Sequence, residues 1–296
     1  MKRNATLLGL FAVLLIIAYV VLQKPGEQSL SDEASGNLVE VDSLKIDRIE
    51  IKSSALDLAL EKRGAEWFIQ RPLSYRADQS AVGSVLHQAK SLEVKSIVSS
   101  NPGKHSMFTV DSMGTFVKIY EMGAERAAFI IGKPGSSFSE TYVRKVNSND
   151  VALVDGSFGY VFNRTLREWR DKNIATVTQE NIKDVKFQYG DTTFTLMLKD
   201  SVWLIGRDST QTPAVQDLLR NLSSVTADDF IDTSLSPQPK ISTLISYGGV
   251  QLRFAFSKPA GKYYVQSSAS PQWFVMEPWR ANPLVKRKKE LVKSGT

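Results

Sequence analysis

The 296-residue chain contains no cysteine. Disulfides, thiolate metal sites and a cysteine nucleophile are therefore excluded. A lipid-modified N-terminal cysteine is excluded as well, so any membrane attachment has to come from the polypeptide itself. Histidine is almost as scarce. His87 and His105 are the two present, and with no cysteine beside them a zinc ligand set is not expected. No cofactor-binding motif occurs, and no metal ligands or catalytic residues are assigned. The body of the chain also lacks a net charge of one sign. Of the net charge of +6, five belong to residues 280–296 and two to Lys2 and Arg3, leaving residues 4–279 at −1. A nucleic-acid-binding domain normally presents a basic face, so nucleic acid is not expected as a partner.

Long apolar runs are equally rare, and the one that exists is informative. Ala5 to Leu22 carries no charge and is rich in Leu, Ile, Val, Ala and Phe. As a helix it would span roughly 27 Å, close to the ~30 Å hydrocarbon core of a bilayer. Lys2 and Arg3 precede it, which places the N-terminus in the cytoplasm and the rest of the chain outside. A cleaved signal peptide is the competing reading. Its apolar region is usually shorter and ends in a small-x-small site, which Tyr19-Val20-Val21-Leu22-Gln23 does not supply. Residues 1–23 are thus expected to be a transmembrane anchor, using 5–22 to cross. Residues 24–43, with Pro25, Gly26, Gly36 and several Ser and acids, are expected to be a flexible tether.

Aligning the chain with itself reveals an internal repeat. At a shift of 136, Ile49 and Ile51 meet Val185 and Phe187, Leu60 meets Leu196, and Trp67-Phe68-Ile69 meets Trp203-Leu204-Ile205. At 133, Val82, Val85, Leu86, Ala89 and Leu92 meet Val215, Leu218, Leu219, Leu222 and Val225, each set forming one face of a helix. Asp78 is a candidate cap for the first helix, and Thr212-Pro213 a cap and first-turn pair for the second. A third block at 125 matches Phe129 with Phe254 and Ile131 with Phe256. A fourth at 121 matches Tyr142 with Tyr263, Leu153-Val154 with Phe274-Val275, and Phe158 with Trp279. The four blocks are collinear.

Alternating apolar residues predict strands over 46–52, 56–62, 65–69, 115–121, 127–132, 140–146 and 151–154, and a second helix over 158–170 with Phe158, Phe162, Leu166 and Trp169 on one side. The expected fold class is α+β: two tandem copies of a mostly antiparallel sheet-plus-helix unit, behind a single transmembrane helix. The units are expected over 44–174 and 175–280, followed by a basic C-terminal tail over 281–296. Trp67 and Trp203 are expected to be core anchors of the repeat.

Trp67-Phe68-Ile69-Gln70-Arg71-Pro72, followed by Ala77-Asp78, resembles the W-x-I-x-x-P and A-D signature of a bacterial family of unknown function. Trp169-Arg170-Asp171-Lys172-Asn173-Ile174 is similar to that family's R-D-K link between repeated halves. The turn at Gly132-Lys133-Pro134, with Tyr142-Val143 and Val151-Ala152-Leu153-Val154 beyond it, is similar too. The second copy departs from the pattern, having no proline at the matching place after Trp203 and no Ala-Asp before its helix. The resemblance implies an anchored envelope protein acting beside an inner-membrane ABC-type transporter of the gliding-motility kind. It implies no activity and no active residues.

Other candidate sites have bland readings beside functional ones. Gly132-Lys133-Pro134-Gly135-Ser136-Ser137 lacks phosphate-loop spacing and reads as a turn. Gly156-Ser157-Phe158-Gly159 is not a nucleophile elbow. Asp228-Asp229 could do acid–base work but reads as a solvated loop. Lys286, Arg287, Lys288 and Lys289 are the candidate contact with anionic lipid or an acidic partner, against a merely solubilising role. The function expected is a non-enzymatic, membrane-anchored envelope protein whose partners are inner-membrane transporter subunits. The alternatives are an envelope module binding a lipid, glycan or peptide, or a hydrolase using Asp228, Asp229 or Ser157.

Overall fold

A computed structural model describes residues 36–293 apart from Ser91, Phe138 and Ser234. The expected anchor over 5–22 and residues 24–35 of the expected tether lie outside the described residues. Among the described residues no helix is long and apolar enough to cross a membrane. The protein is mostly β with a few helices, and its two large sheets are antiparallel. It divides into two compact units between Trp169 and Arg170.

The first unit contains β1 (Gly36–Asn37), β2 (Ile46–Lys52), β3 (Asp57–Arg63), β4 (Glu66–Arg71) and β5 (Tyr75–Arg76), then α1 (Gln79–Lys90). It continues with β6 (Glu93–Ser99), β7 (Thr115–Glu121), β8 (Ala124–Pro134), β9 (Glu140–Lys145), β10 (Val151–Asp155), α2 (Phe158–Phe162) and α3 (Leu166–Trp169). The strands form one sheet in the order β5-β4-β3-β2-β7-β8-β9-β10-β6-β1. Alternation puts Ile49, Ile51, Leu60, Val117 and Phe129 into one core. The α1 stripe of Val82, Val85 and Ala89 joins it, as do Phe158, Phe162 and Trp169. Burying each large aliphatic or aromatic side chain contributes about 1.5–3 kcal/mol.

The signature residues have local work. The Trp67 carbonyl accepts from the Ala77 amide at 2.9 Å and from Gln79 Nε2 at 3.1 Å. Asp78 caps α1, its Oδ1 accepting from the Ala81 amide at 2.8 Å, and its own amide donates to the Trp169 carbonyl.

The opposite face of this sheet is also covered. A 3-10 segment, Pro102–Phe108, leads to Val110, which packs with Ile130 and Val151 beside Phe108, Phe116 and Tyr142. Two glycines admit it. A Cβ on Gly132 would stand 2.2 Å from the Phe108 carbonyl oxygen, and one on Gly114 would stand 2.5 Å from the Thr109 oxygen.

The second unit contains β11 (Asn173–Thr176), β12 (Asp184–Tyr189), β13 (Thr193–Lys199), β14 (Val202–Ile205), β15 (Asp208–Ser209) and α4 (Thr212–Ser223). After α4 come β16 (Ser224–Thr226), β17 (Asp229–Ile231), β18 (Thr243–Tyr247), β19 (Val250–Ser257), β20 (Lys262–Ser267), β21 (Trp273–Met276) and α5 (Pro278–Ala281). Its large sheet runs β15-β14-β13-β12-β18-β19-β20-β21-β17, the order of the first sheet less its last strand, and β11 pairs with β16 separately. The registers correspond as well. Ile69, Leu60, Ile49 and Ile119 stand in a row across the first sheet, and Ile205, Leu196, Val185 and Tyr247 across the second. Further along, the row Thr115, Ile131, Val143, Ala152 has the counterpart Thr243, Phe254, Val265, Phe274.

These rows correct the self-alignment in its later half. The registers give a shift of 123 for β8 and 122 for β9 and β10, in place of 125 and 121. The first error, of two residues, keeps the strand face. The second, of one residue, exchanges faces. Thus Val154 is buried whereas Val275, matched with it by sequence, is half-buried, and Phe158 is buried whereas Trp279 is 66% exposed.

Four local expectations also change. Residues 36–43 are not tether, because Leu38 and Val39 enter the first core and β1 pairs with β6. The boundary lies before 174, because Asn173 and Ala175 pair with Thr226 and Val225. The helix over 158–170 is broken into α2 and α3: Asn163 accepts from Thr115 Oγ1, and Thr165 restarts the chain by donating its amide and hydroxyl to Glu168. Gln211, not Thr212, holds the cap position of α4, where its amide and Nε2 donate to the Leu291 and Val292 carbonyls.

Gly132→Ala should lower stability by about 1–3 kcal/mol through overpacking of the covering segment. Gly83→Ala, in α1 with open space around its Cβ, should raise it by about 0.5–1 kcal/mol. Urea melts of the full chain read both, and equal shifts in one direction would refute the assignment.

Candidate functional site

In the second unit a cleft borders the same face of the sheet. Ile231, Trp273, Gln266, Arg253 and Leu244 are directly opposed across β17, β21, β20, β19 and β18. Opposed residues share a face, so these five form a floor. They line a cleft of about 810 Å³, whose wall comes from the segment after β17 and mixes Asp232, Thr233 and Gln238 with the apolar Leu235, Pro239 and Ile241. That volume lies within the ~300–1,000 Å³ of ordinary ligand pockets.

The matching row in the first unit is Ser99, Val151, Arg144, Ile130 and Phe116, and it lies beneath the cover. There Arg144 donates from Nε to the Val110 carbonyl at 3.0 Å and from Nη1 to the Ser148 carbonyl at 2.8 Å. Burial lowers its guanidinium below the ordinary value, with Asp111 opposing. In the second unit Arg253 replaces Ile130, Gln266 replaces Arg144 and Trp273 replaces Val151. Ser242 and Ala255 stand where Gly114 and Gly132 admit the covering segment, so a Cβ occupies both points of closest approach.

The cleft is braced from within the second unit. Arg170 is 3% exposed and donates from Nη1 to both Asp232 oxygens at 2.7 and 2.9 Å, with its guanidinium 3.7 Å from the centre of the Phe230 ring. Its Nη2 reaches Gln272 Oε1 at 3.4 Å. The Gln272 Nε2 group in turn donates to the Ile231 and Trp273 carbonyls at 2.8 and 2.6 Å. Gln266 Nε2 donates to the Pro271 carbonyl at 2.9 Å, and its oxygen lies 3.4 Å from Arg253 Nη1. The R-D-K link of the sequence therefore supplies, through Arg170, a brace for the cleft.

The candidates taken from sequence fall elsewhere. Trp67 is buried in the first core at 5% exposure, while Trp203 is half-buried and its carbonyl accepts from Thr210 Oγ1. Residues 281–293, expected as tail, are folded: Leu284 and Leu291 are buried and Val292 bridges to Thr210. The basic cluster is largely turned onto its own unit. Lys286 pairs with Glu290 at 3.3 Å, Arg287 with Asp191 at 3.0 Å, and Lys288 with Asp208 at 2.7 Å. Arg287 also stacks on Tyr189, whose hydroxyl donates to the Lys286 carbonyl, while Lys289 is exposed. For Glu290, burial works to raise the carboxyl, but the Arg287 amide and the Lys286 ammonium outweigh it and the pKa is lowered.

Asp228 is not a solvated loop acid: it is half-buried, accepts from the Glu277 amide at 2.8 Å and pairs with Arg280 at 3.2 Å. Asp229 begins β17 opposite Val275, and Ser157 is exposed. His87 is exposed on α1, and His105 Nε2 lies 3.0 Å from the Asn149 carbonyl oxygen. The Gly132-Lys133-Pro134 stretch ends β8. Among the described residues no three His, Asp or Glu side chains gather as a metal site.

The architecture is thus that of a mostly β protein with two large antiparallel sheets, the first covered on both faces and the second bordering a cleft. The chain belongs to the family described as domain of unknown function (DUF4340), whose model matches residues 67–243, from the buried Trp67 to the first residue of β18. No curated protein and no solved structure matches the chain.

Arg170→Ala should destabilise the chain by about 2 kcal/mol, from loss of charge-assisted hydrogen bonds to a partly exposed partner and of the stacking on Phe230. Arg170→Lys should recover less than half, since an ammonium cannot reproduce the two-pronged geometry. Denaturant midpoints check this, and full recovery by lysine would contradict the brace.

Proposed function

We propose that the chain is a non-enzymatic protein of the cell envelope, made of two tandem copies of one sheet-plus-helix unit. Residues 5–22 hold it in the inner membrane with the N-terminus cytoplasmic and the folded units in the periplasm. There it serves as an accessory component of an ABC-type transport system. The observation that carries this reading is the charge-free apolar run Ala5–Leu22 directly behind Lys2 and Arg3, joined to a folded body of near-neutral charge. The likeness of Trp67–Asp78 and Trp169–Ile174 to anchored envelope proteins encoded beside such transporters supports the choice of partner. A second reading, an envelope ligand-binding module independent of a transporter, is favoured by the cleft over Trp273, Gln266 and Arg253.

A tagged full-length chain, cross-linked in intact cells and purified from solubilised membranes, should bring down permease and ATP-binding subunits of one transporter. Purification of the chain without them, under conditions that retain other membrane complexes, would sink the first reading.

A further inference from the structure

We propose that the cleft of the second unit binds an oligosaccharide, with Trp273 as the stacking platform and Gln266 and Arg253 as the groups that read hydroxyls. The proposal rests on the reading of this cleft as a binding site and narrows it to one ligand chemistry.

The floor of the cleft is a row of side chains, one per strand. Adjacent strands lie about 4.8 Å apart, so Trp273, Gln266 and Arg253 are spread over about 10 Å, comparable to the length of a disaccharide. An indole offers an apolar, electron-rich face to the C–H groups of a sugar ring. A primary amide presents a donor and an acceptor side by side, and a guanidinium presents several donors in one plane. Both suit neighbouring hydroxyls. Gln266 is held in place by the Pro271 carbonyl and by Arg253, which limits the entropy lost when a ligand seats. Gln272 has another role: its amide hydrogens go to the Ile231 and Trp273 carbonyls, which fixes the strand carrying the indole.

Other chemistries fit the row less well. An acyl chain would meet Leu235, Pro239 and Ile241 in the wall but would desolvate Gln266 and Arg253 at the middle of the floor without bonding them. A phosphate would meet one guanidinium of the floor and the Asp232 carboxylate in the wall, the cationic Arg170 being committed to that carboxylate. An extended peptide is usually captured by main-chain pairing along a sheet edge, whereas the floor here is a sheet face that offers side chains. The contrast with the first unit points the same way. At the same three positions that unit has Val151, Arg144 and Ile130, sealed under Phe108 and Val110. In the second unit the same positions, Trp273, Gln266 and Arg253, line the cleft instead.

The test uses the full chain in a detergent without a sugar headgroup, titrated with chitotetraose, cellotetraose and maltotetraose by calorimetry and saturation-transfer NMR. Inorganic phosphate and tetra-alanine are the comparison probes. At least one tetrasaccharide should bind saturably with a Kd of roughly millimolar or tighter. Trp273→Ala and Arg253→Ala should each weaken it about tenfold, while Met197→Ala, an exposed residue outside the cleft, should leave it unchanged. If Trp273→Ala does not fold, Arg253→Ile, which installs the residue of the first unit, carries the test with Trp273→Phe. Saturation by none of the three sugars below about 10 mM, or binding that survives both cleft substitutions, overturns the proposal. Cleft-dependent binding of phosphate or tetra-alanine instead also overturns it, while leaving the cleft as a binding site for another ligand. Binding by no probe removes both.

Discussion

The register of the antiparallel ladder governs everything else in this protein. Successive side chains on a strand point to opposite faces, so a slip of one residue would turn a core row to solvent and a solvent row to the core. In each unit the register places a buried threonine, Thr115 or Thr243, at the head of a row of core residues. The helix stripe of Val82, Val85 and Ala89, or of Val215, Leu218, Leu219 and Leu222, then closes that face. The row beside it, on the other face, is where the units diverge.

In the first unit both faces of the middle strands are packed. Phe129, Ile130 and Ile131 are consecutive and all buried, which a half-solvated strand would not tolerate. In the second unit Leu252 and Phe254 are buried and Arg253 between them is exposed in the cleft, while Ala255, next on its face, is buried. The difference is enforced twice, by the apolar residues Phe108 and Val110 of the covering segment and by the glycines that let it approach. Where the second unit has Ser242 and Ala255, the same approach would bring a Cβ against backbone. The first unit thus seals this row under its covering segment, while in the second unit the matching row lines a cleft.

Much of this architecture was legible from residue patterns. Trp67 with Trp203, the β2–β3 and β12–β13 pairs, and both helix stripes are aligned correctly because rare residues and regular spacing pin them. Legibility fails where the pattern is degenerate. Tyr142 and Tyr263 attract each other in an alignment, yet the ladder places Val143 with Val265, because strand pairing responds to face and not to identity. Phe158 to Trp169 reads as one helix because the periodicity continues through Asn163–Thr165, where side-chain bonds to Thr115 and Glu168 break it. The cleft escaped because its residues are ordinary and distant in sequence. The substitution of Arg253 for Ile130 becomes visible only once the register is known. Likewise the buried state of Leu284 and Leu291, which ties the basic stretch to the second unit, is masked in sequence by the lysines between them.

The absence of cysteine allows the register to be read directly. Opposed residues have Cβ atoms about 4.5–5.5 Å apart, within reach of a disulfide after modest adjustment. Cysteines introduced in pairs at Phe116 and Ile130, and at Leu244 and Arg253, should each cross-link on mild oxidation of the folded chain. Pairs slipped by one residue, Phe116 with Phe129 and Leu244 with Leu252, should not, since their side chains leave opposite faces. Cross-linking of the slipped pairs in place of the opposed ones would contradict the shared ladder, and with it the correspondence between the sealed row and the open cleft.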